Sequence, residues 1–162
     1  QLAKGYAIIS NGGFEINPTL LRKNSKKQKK RIIREGVSEK INLILRKIVT
    51  TKEGTANFAN IDGYEVGGKT GTAQKTKIGG YSKEKVNTFA AVFPTSKPIY
   101  VLVVVLDEPK GNKEYIYHYK DGSGIKYKGT PFNTAGWTTV EVTGKILEKI
   151  GPILATKYIQ TN

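Results

Sequence analysis

The chain has 162 residues, and its composition of 38% apolar and 25% charged residues is that of one globular domain with a hydrophobic core. It contains no cysteine and one histidine, His118, which excludes disulfide frameworks, thiolate metal sites, a cysteine nucleophile and His-rich metal sites. The formal net charge is +14, and the longest apolar run, Ile99–Leu106, is much shorter than the roughly 20 residues that a membrane-spanning helix needs.

Three helices are predicted in chain order. The first covers the opening residues and ends at Gly12-Gly13, as glycines often do at a helix C-terminus. Ser38 is predicted to cap a second helix that runs to about Thr51. Thr134 or a neighbour is predicted to cap the last helix, which Gly151-Pro152 would kink or end. The apolar positions predicted to be buried in the last two helices are Ile41, Ile44, Leu45, Ile48, Val49, Val142, Ile146, Leu147, Ile150, Ile153 and Leu154.

Two strands and a long loop are predicted between the second and third helices. Val86–Phe93 and Ile99–Leu106 have the pattern of strands, and the unbroken aliphatic run Val101–Leu106 predicts burial on both faces. Lys110–Pro131 has the composition of a polar, tyrosine-rich loop. The order of helices and strands favours an α+β fold, with an antiparallel β-sheet flanked by helices.

The positive charge is concentrated in one segment. Eight of the 27 basic residues lie within Arg22–Arg34, which contains no acidic residue and is predicted to be an exposed hairpin or loop. Such a run attracts anionic lipids or nucleic acid. It lacks the interleaved aromatic residues that stack on bases, and only four of the 27 basic residues are arginine. A non-catalytic binder of anionic polymers is kept as one alternative, and no nucleic-acid partner is predicted.

The segment Gly63–Gln74 matches two different chemistries. Its first part, Gly63–Thr70, satisfies the G-x-x-x-x-G-K-[ST] pattern of the P-loop, which binds nucleotide phosphates. The strand that ends at Asp107-Glu108 resembles the acidic strand that holds Mg²⁺ in such enzymes. A P-loop also needs a buried strand before it and a helix that starts at the lysine. The glycine-rich sequence after Thr70 disfavours that helix. A P-loop nucleotide hydrolase is therefore kept only as the second alternative.

Lys69-Thr70-Gly71 is also the Lys-Thr-Gly element of penicillin-binding proteins and serine β-lactamases. On an edge strand that borders a cleft, the Lys69 ammonium and the hydroxyls of Thr70 and Thr72 would bind a substrate carboxylate. Gly71, which has no Cβ, would let the substrate backbone approach closely. The Thr72 N–H would point at a developing oxyanion, and such a donor is typically worth about 10²–10³ in rate. Thr72 is therefore the predicted catalytic residue.

Six segments resemble, in the same order, the C-terminal half of class B penicillin-binding proteins, and most closely the septal peptidoglycan D,D-transpeptidases of alphaproteobacteria. The segments are Gln1–Gly13, Asn17–Leu21, Val49–Ala56, Gly67–Gln74, Thr88–Pro94 and Thr134–Trp137.

The resemblance implies a partial penicillin-binding/β-lactamase-like transpeptidase fold and a serine acyl-enzyme mechanism, without metal or cofactor. Its implied ligands are peptidoglycan stem peptides and β-lactams, and its implied partners are proteins of the division machinery. The implied location is the periplasmic face of the bacterial inner membrane. The whole chain is interpreted as the C-terminal portion of one transpeptidase domain, with the nucleophile and the membrane anchor upstream.

The nucleophile of this family lies in a Ser-x-x-Lys element on a helix that precedes the Lys-Thr-Gly strand. The two Ser-x-x-Lys matches here, Ser82–Lys85 and Ser123–Lys126, follow that strand and are predicted to be solvated loops. The chain alone is therefore predicted to be inactive. Because a domain divided within its core exposes apolar surface, we expect dimerisation or domain swapping of the isolated chain.

A few other residues invite functional interpretations. The tyrosines around His118 either flank a substrate cleft or form an exposed, alternating strand pair, and the sequence leaves both open; they are Tyr115, Tyr117, Tyr119 and Tyr127. Asp107-Glu108 is expected to face water, and no catalytic role is predicted for His118. Trp137 is expected to anchor the last helix in the core.

Overall fold

The computed structural model of the protein describes residues 1–21, 30–118, 126–128 and 133–161, with the backbone alone described at 126–128 and 158–161. The helices are α1 (Leu2–Ser10), α2 (Glu35–Thr50) and α3 (Thr139–Thr161), with two short 3₁₀ helices, η1 (Asn57–Ala59) and η2 (Ala135–Trp137). The strands are β1 (Gly67–Lys77), β2 (Gly80–Phe93), β3 (Tyr100–Asp107), β4 (Ile116–His118) and β5 (Lys126–Lys128).

The main sheet is antiparallel, with β2 in the centre and β1 and β3 on either side. β1 and β2 form a long hairpin whose turn contains Gly79, with a φ of +84° that favours glycine. β4 and β5 form a separate two-stranded antiparallel pair. This arrangement confirms the predicted α+β class with an antiparallel sheet flanked by helices.

Helices cover the main sheet on both faces, and glycines allow them to come close. α2 packs against β1 at Gly67, where a Cβ would lie 2.9 Å from the carbonyl carbon of Leu45. On the opposite face, α3 approaches η1 at Gly144, where a Cβ would lie 2.2 Å from the carbonyl oxygen of Phe58. The layers are therefore held in direct backbone contact at these two points.

The core lies mainly between the sheet and α3. Phe89 of β2 and Leu147 of α3 are fully buried within it, and Val49 of α2 joins it at the other end. The remaining buried members are Ala56, Phe58, Ala59, Ile61, Val66, Ala91, Phe93, Tyr117 and Val140. Removing such side chains from water supplies the main favourable free energy of folding.

Ser38 does not cap a helix, which corrects the sequence prediction. α2 begins three residues earlier, at Glu35, and Ser38 lies inside it, 1% exposed. Its hydroxyl donates to the carbonyl oxygen of Ile9 and accepts from the N–H of Gly12 at 3.0 Å. The hydroxyl thus satisfies backbone groups at the end of α1 and joins the two helices, a role that helix periodicity does not reveal.

The prediction of buried residues from helical periodicity was wrong in part. Ile44 and Ile153 were predicted to be buried, but they are 57% and 59% exposed. The prediction that β3 is covered on both faces is wrong at Val105, which is 54% exposed, because the packed elements cover the faces of β3 only in part. Aliphatic content alone does not say which neighbours cover a surface.

The ends of several elements also differ from the prediction. β2 starts at Gly80, six residues before the predicted strand. Thr134 precedes η2 instead of capping α3, and α3 continues through Pro152 without ending. Part of the basic run, residues 22–29, lies outside the described residues. Next to it, the N–H of Glu15 donates to the carbonyl oxygen of Lys30.

The turn before β1 is fixed by a carboxylate. Glu65 has a φ of +45°, in the left-handed region that costs free energy for a residue with a Cβ. Its carboxylate accepts hydrogen bonds from the hydroxyl and the N–H of Ser96, and these bonds lower the pKa of Glu65. The next carbonyl, that of Val66, accepts from the Arg46 guanidinium at 2.7 Å. These contacts determine where β1 begins.

The contact at Gly144 leads to a test of the packing of α3. We expect Gly144→Ala to lower the free energy of unfolding by about 1–3 kcal/mol or more, since the new methyl overlaps backbone that cannot easily move. The matched control is Gly5→Ala in α1, where a Cβ meets nothing within 4 Å. Helix propensity should make that variant neutral or up to about 1 kcal/mol more stable in urea unfolding. Equal effects at the two positions would contradict the packing described here.

The bonds at Glu65 predict a pH dependence of stability. Since the folded-state pKa of Glu65 is lowered, its contribution is complete above the unfolded value of about 4.3 and is lost as the pH falls through the folded value. Ser96→Ala removes one of the bonds that lower the pKa. The difference in unfolding free energy between the original protein and Ser96→Ala should therefore shrink between pH 7 and pH 3. A difference that stays constant over this range would contradict the prediction.

Candidate functional site

The Lys-Thr-Gly element lies on an edge strand. Among the residues that the structure describes, β1 pairs only with β2, and Thr70 lies opposite Phe89 in the register. The strand stays extended through Lys69 and Thr70, and no helix starts there. The P-loop alternative is therefore wrong, because a P-loop presents its phosphate to a helix N-terminus that begins at the lysine.

The side chains of the element alternate between the two faces of the sheet, as extended backbone requires. Thr70 and Thr72 lie on the face covered by α3 and η2, where their cross-strand partners are Phe89 and Asn87. Lys69 starts from the opposite face, and its exposed Nζ donates to the carbonyl oxygen of Thr70 at 2.8 Å. The structure thus brings two hydroxyls side by side and places the ammonium next to the backbone between them.

A groove of about 240 Å³ opens in front of Thr70 and Thr72. Its walls come from the segment around η1 and from the segment around η2. The other lining residues are Gly54, Thr55, Asn57, Phe58, Thr134, Gly136 and Trp137. The two walls approach each other at Gly136, where a Cβ would lie 2.8 Å from the carbonyl oxygen of Thr55. A polar floor and partly aromatic walls form a cleft suited to a small anionic group with an apolar neighbour.

Both threonine hydroxyls are held by neighbours but keep hydrogen-bonding capacity. The Thr70 hydroxyl lies 3.0 Å from the Thr55 hydroxyl, and either can donate. The Thr72 hydroxyl oxygen accepts from the N–H of Ala135 at 3.0 Å. Because a hydroxyl has one proton and two lone pairs, Thr72 can still donate its proton to an anion in the groove. The bond from Ala135 also ties η2 to β1.

The missing side chain at Gly71 is explained by a neighbouring strand. A Cβ at this position would lie 2.5 Å from the Thr88 hydroxyl oxygen of β2. Strand alternation places Gly71 on the face of Lys69, opposite to the groove. The predicted approach of a substrate backbone at Gly71 stays a prediction, and the structure supplies an independent reason for glycine here.

An aromatic cluster supports the groove from behind. Trp137 packs on the core, with its ring centroid 5.4 Å from that of Phe58 and 5.0 Å from that of Tyr117, which confirms its predicted role as an anchor. The Tyr117 hydroxyl donates to the carbonyl oxygen of Trp137 at 3.0 Å, and burial raises the pKa of Tyr117. This hydroxyl therefore stays protonated at neutral pH and keeps its bond to the groove wall.

The tyrosine-rich segment contains the predicted alternating strand pair, β4 and β5, but its described tyrosine side chains are not exposed and do not line the groove. Tyr117 is 7% exposed, and Tyr115 packs its ring against Tyr117 with centroids 4.8 Å apart. The Tyr115 hydroxyl bonds to Glu141 of α3, so β4 is fastened to that helix. Tyr119 and the side chain of Tyr127 lie outside the described residues.

Sequence reasoning missed three residues of the groove and its support. Thr55 and Thr134 line the groove, and Asn87 lies beneath its wall. Thr55 belongs to a segment that carried the family resemblance, and this was the signal that could have drawn attention to it. Thr134 was assigned to a helix cap. A buried asparagine in a strand leaves no distinct pattern in a sequence.

The remaining candidates lie away from the groove or are engaged elsewhere. Ser82–Lys85 lies in β2 and not in a solvated loop, and Lys85 donates to Asn133 at 2.8 Å; Ser123 of the second match lies outside the described residues. Asp107 and Glu108 are exposed to water, as predicted, and both also bind Lys75, at 2.7 and 2.8 Å. Within the described ranges, no group of three histidine or acidic side chains could hold a metal ion.

Comparison with known proteins identifies the family. The family model for the penicillin binding protein transpeptidase domain matches residues 1–126. A probable peptidoglycan D,D-transpeptidase FtsI from Caulobacter vibrioides is 32% identical over 167 residues, which take in 96% of this chain and 26% of the relative. The chain thus spans about a quarter of the length of that relative.

Solved structures share the fold. The transpeptidase domain of penicillin-binding protein 3 from Burkholderia pseudomallei matches with a TM-score of 0.71 and 24% identity, over 94% of this chain and 41% of that one. Penicillin-binding protein 3 from Mycobacterium tuberculosis, solved in complex with ampicillin, matches with a TM-score of 0.67 and 22% identity, over 93% and 34%. Because the family model matches residues 1–126, the chain belongs to the penicillin-binding protein transpeptidase domain family.

Proposed function

We propose that this chain supplies the carboxylate-binding and oxyanion-binding strand of a peptidoglycan D,D-transpeptidase that cross-links stem peptides during septum formation. The observation that supports the proposal most directly is the open edge of β1. There the Thr70 and Thr72 hydroxyls face one groove and the Lys69 ammonium lies beside the Thr70 carbonyl. No other described segment combines a cation, two hydroxyls and an unpaired strand edge next to a cleft.

The chemistry of this edge fits a peptide that ends in a carboxylate. Thr70 and Thr72 donate hydroxyl protons to the ionised carboxylate in charge-assisted hydrogen bonds, and the Lys69 ammonium adds the attraction of an opposite charge. The N–H of Thr72 donates to the oxyanion that forms when the scissile carbonyl is attacked. Because β1 binds the substrate at two points, the carboxylate and the oxyanion, the substrate is oriented along the strand.

The attacking serine belongs, in this proposal, to a part of the complete enzyme outside these 162 residues. Neither Ser-x-x-Lys match fits that role, because both follow the Lys-Thr-Gly strand in the chain, and Ser82–Lys85 lies in β2 with Lys85 bound to Asn133. The isolated chain is then not acylated by β-lactams, whereas the complete enzyme is. The ampicillin complex of the Mycobacterium tuberculosis neighbour supports β-lactams as ligands of the complete enzyme.

The proposed location is the periplasmic face of the bacterial inner membrane, with division-machinery proteins as partners. The similarity to the probable peptidoglycan D,D-transpeptidase FtsI of Caulobacter vibrioides supports it. Through the parts of the chain that the structure describes, no helix is both long enough and apolar enough to cross a membrane. Any anchor is assigned by the proposal to another part of the complete protein.

The role of Lys69 can be tested against a lysine on the same strand. In the full-length gene product, we expect Lys69→Ala to lower the second-order rate of labelling by a fluorescent penicillin about 10–100-fold. The reason is that a hydrogen bond to a charged group is worth about 1.5–3 kcal/mol. The control, Lys77→Ala, removes an exposed lysine from the far end of β1 and should change the rate less than about twofold, within the range of ordinary surface substitutions.

Labelling of the full-length protein that is unaffected by Lys69→Ala would contradict the proposed carboxylate site. Efficient labelling of the isolated chain would contradict the proposal that the serine lies elsewhere. Circular dichroism of both variants shows whether a lost rate reflects lost folding instead.

We also propose that the isolated chain self-associates. Leu43 and Ile44 are adjacent on α2 and are 65% and 57% exposed, and Val105 is 54% exposed at the edge of the sheet. Burying such surface against a second copy is favourable by about 25 cal/mol per Å² of apolar area. Light scattering after size exclusion should give a mass of about two chains at micromolar concentration, and Leu43→Lys with Ile44→Lys should reduce it. A stable monomer with a high melting temperature would contradict this expectation.

A further inference from the structure

One wall of the groove is attached to the sheet by a small number of hydrogen bonds. This wall, Asn133–Thr138, includes η2 and carries three lining residues, Thr134, Gly136 and Trp137. It reaches β1 through the bond from the Ala135 N–H to Thr72. Its attachment to β2 is made by two side chains, Lys85 and Asn87. Together with the packing of Trp137 on the core, these hydrogen bonds set the position of the wall relative to the floor.

Asn87 uses both of its amide hydrogens to hold the two ends of this wall. Its Nδ2 donates to the carbonyl oxygen of Asn133 at 2.8 Å and to the Thr138 hydroxyl at 2.8 Å. The Thr138 hydroxyl then donates to the carbonyl oxygen of Thr134 at 2.9 Å. A single fully buried side chain thus fixes the beginning and the end of the segment, and through Thr138 it fixes the backbone of a lining residue.

Asn87 acts on the groove wall only as a hydrogen-bond donor, because its amide oxygen makes no hydrogen bond to the described residues. Oδ1 is buried and has no hydrogen-bond partner among the described residues. An unsatisfied buried acceptor is unfavourable. An aspartate of the same shape would lose both donors and bury a charge, and an apolar residue would avoid the cost but leave Asn133 and Thr138 without their donor. An amide is the side chain here that keeps two donors in this space.

The place of Asn87 in the register connects it to the floor of the groove. Asn87 is the cross-strand partner of Thr72, on the same face of the sheet. The wall is therefore held from two adjacent positions: Thr72 accepts from its middle, at Ala135, and Asn87 donates to its two ends. Together these bonds determine the distance between the Thr72 hydroxyl and the wall that faces it.

We propose that Asn87 is a positioning residue of the substrate site, which sets the width of the groove through Asn133–Thr138 without touching the ligand. This inference rests on the proposed function, because it concerns the carboxylate that Thr70 and Thr72 are proposed to bind. It predicts that loss of the amide weakens the initial complex with the ligand. The acylation step itself, which depends on the serine and the Thr72 N–H, should change little.

The test uses the full-length gene product and a fluorescent penicillin as the probe, with the labelling rate measured over a range of probe concentrations. For Asn87→Ala, we expect the concentration for half-maximal rate to rise about tenfold and the maximal rate to change less than twofold. Thr138→Val, which removes the hydroxyl that passes the contact on to Thr134, should show the same pattern more weakly. Thr138→Ser, which keeps the hydroxyl, should behave like the original protein.

The matched control is Asn42→Ala. Asn42 is also a buried asparagine whose Oδ1 has no partner in the described part of the chain. Its Nδ2 donates to the carbonyl oxygen of Ser10 at 2.9 Å, but it lies on α2, away from the groove. Loss of stability alone should lower the fraction of protein that is labelled, and it should do so in both asparagine variants. Only loss of groove geometry should raise the half-maximal concentration, and only in Asn87→Ala and Thr138→Val.

The inference is overturned if Asn87→Ala keeps the half-maximal concentration of the original protein, or if Asn42→Ala raises it equally. If Asn87→Ala does not fold, the comparison of Thr138→Val with Thr138→Ser decides, and equal behaviour of these two variants overturns the inference. The proposed function fails separately, if Lys69→Ala leaves labelling unchanged. If Lys69→Ala abolishes labelling and Asn87→Ala has no effect, the proposed function stands and the inference about Asn87 is overturned.

Discussion

The open edge of β1 is the constraint on which the rest of the site depends. Pairing with β2 on one side holds the strand extended, so that Thr70 and Thr72 repeat on one face and Lys69 reaches the backbone between them. Pairing on the other side would occupy the backbone groups that the proposed mechanism assigns to substrate. Edge strands are usually protected against association with other chains. Here the exposed edge borders the groove, where the proposed substrate binds.

The surrounding structure keeps this strand in one position. Glu65 and Ser96 fix the turn where β1 begins, and the absence of a side chain at Gly67 lets α2 press against its backbone. Further along, Gly71 leaves room for Thr88 of the neighbouring strand. Substrate-positioning groups must be held within fractions of an ångström, and such supports belong to rigid elements more than to loops.

The sequence was sufficient for the elements that have a local signal. The Lys-Thr-Gly element, the α+β class and the anchoring role of Trp137 were all predicted from residue types and their order. The failures concern properties that depend on distant parts of the chain. Ser38 has the composition of a cap, but its hydroxyl serves α1, and Ile44 has a core periodicity but lies on an exposed face. Asn87 carries no signal, since its partners lie more than forty residues away.

The wall formed by η2 has a consequence for how the groove arises during synthesis. Thr72 and Ala135 are 63 positions apart, so their bond is among the long-range contacts that close slowly in folding. Until η2 and the last helix have docked, the β1–β2 segment carries its threonines but lacks one wall of the cleft. Ligand recognition by this edge therefore begins only when the C-terminal segment has emerged and docked.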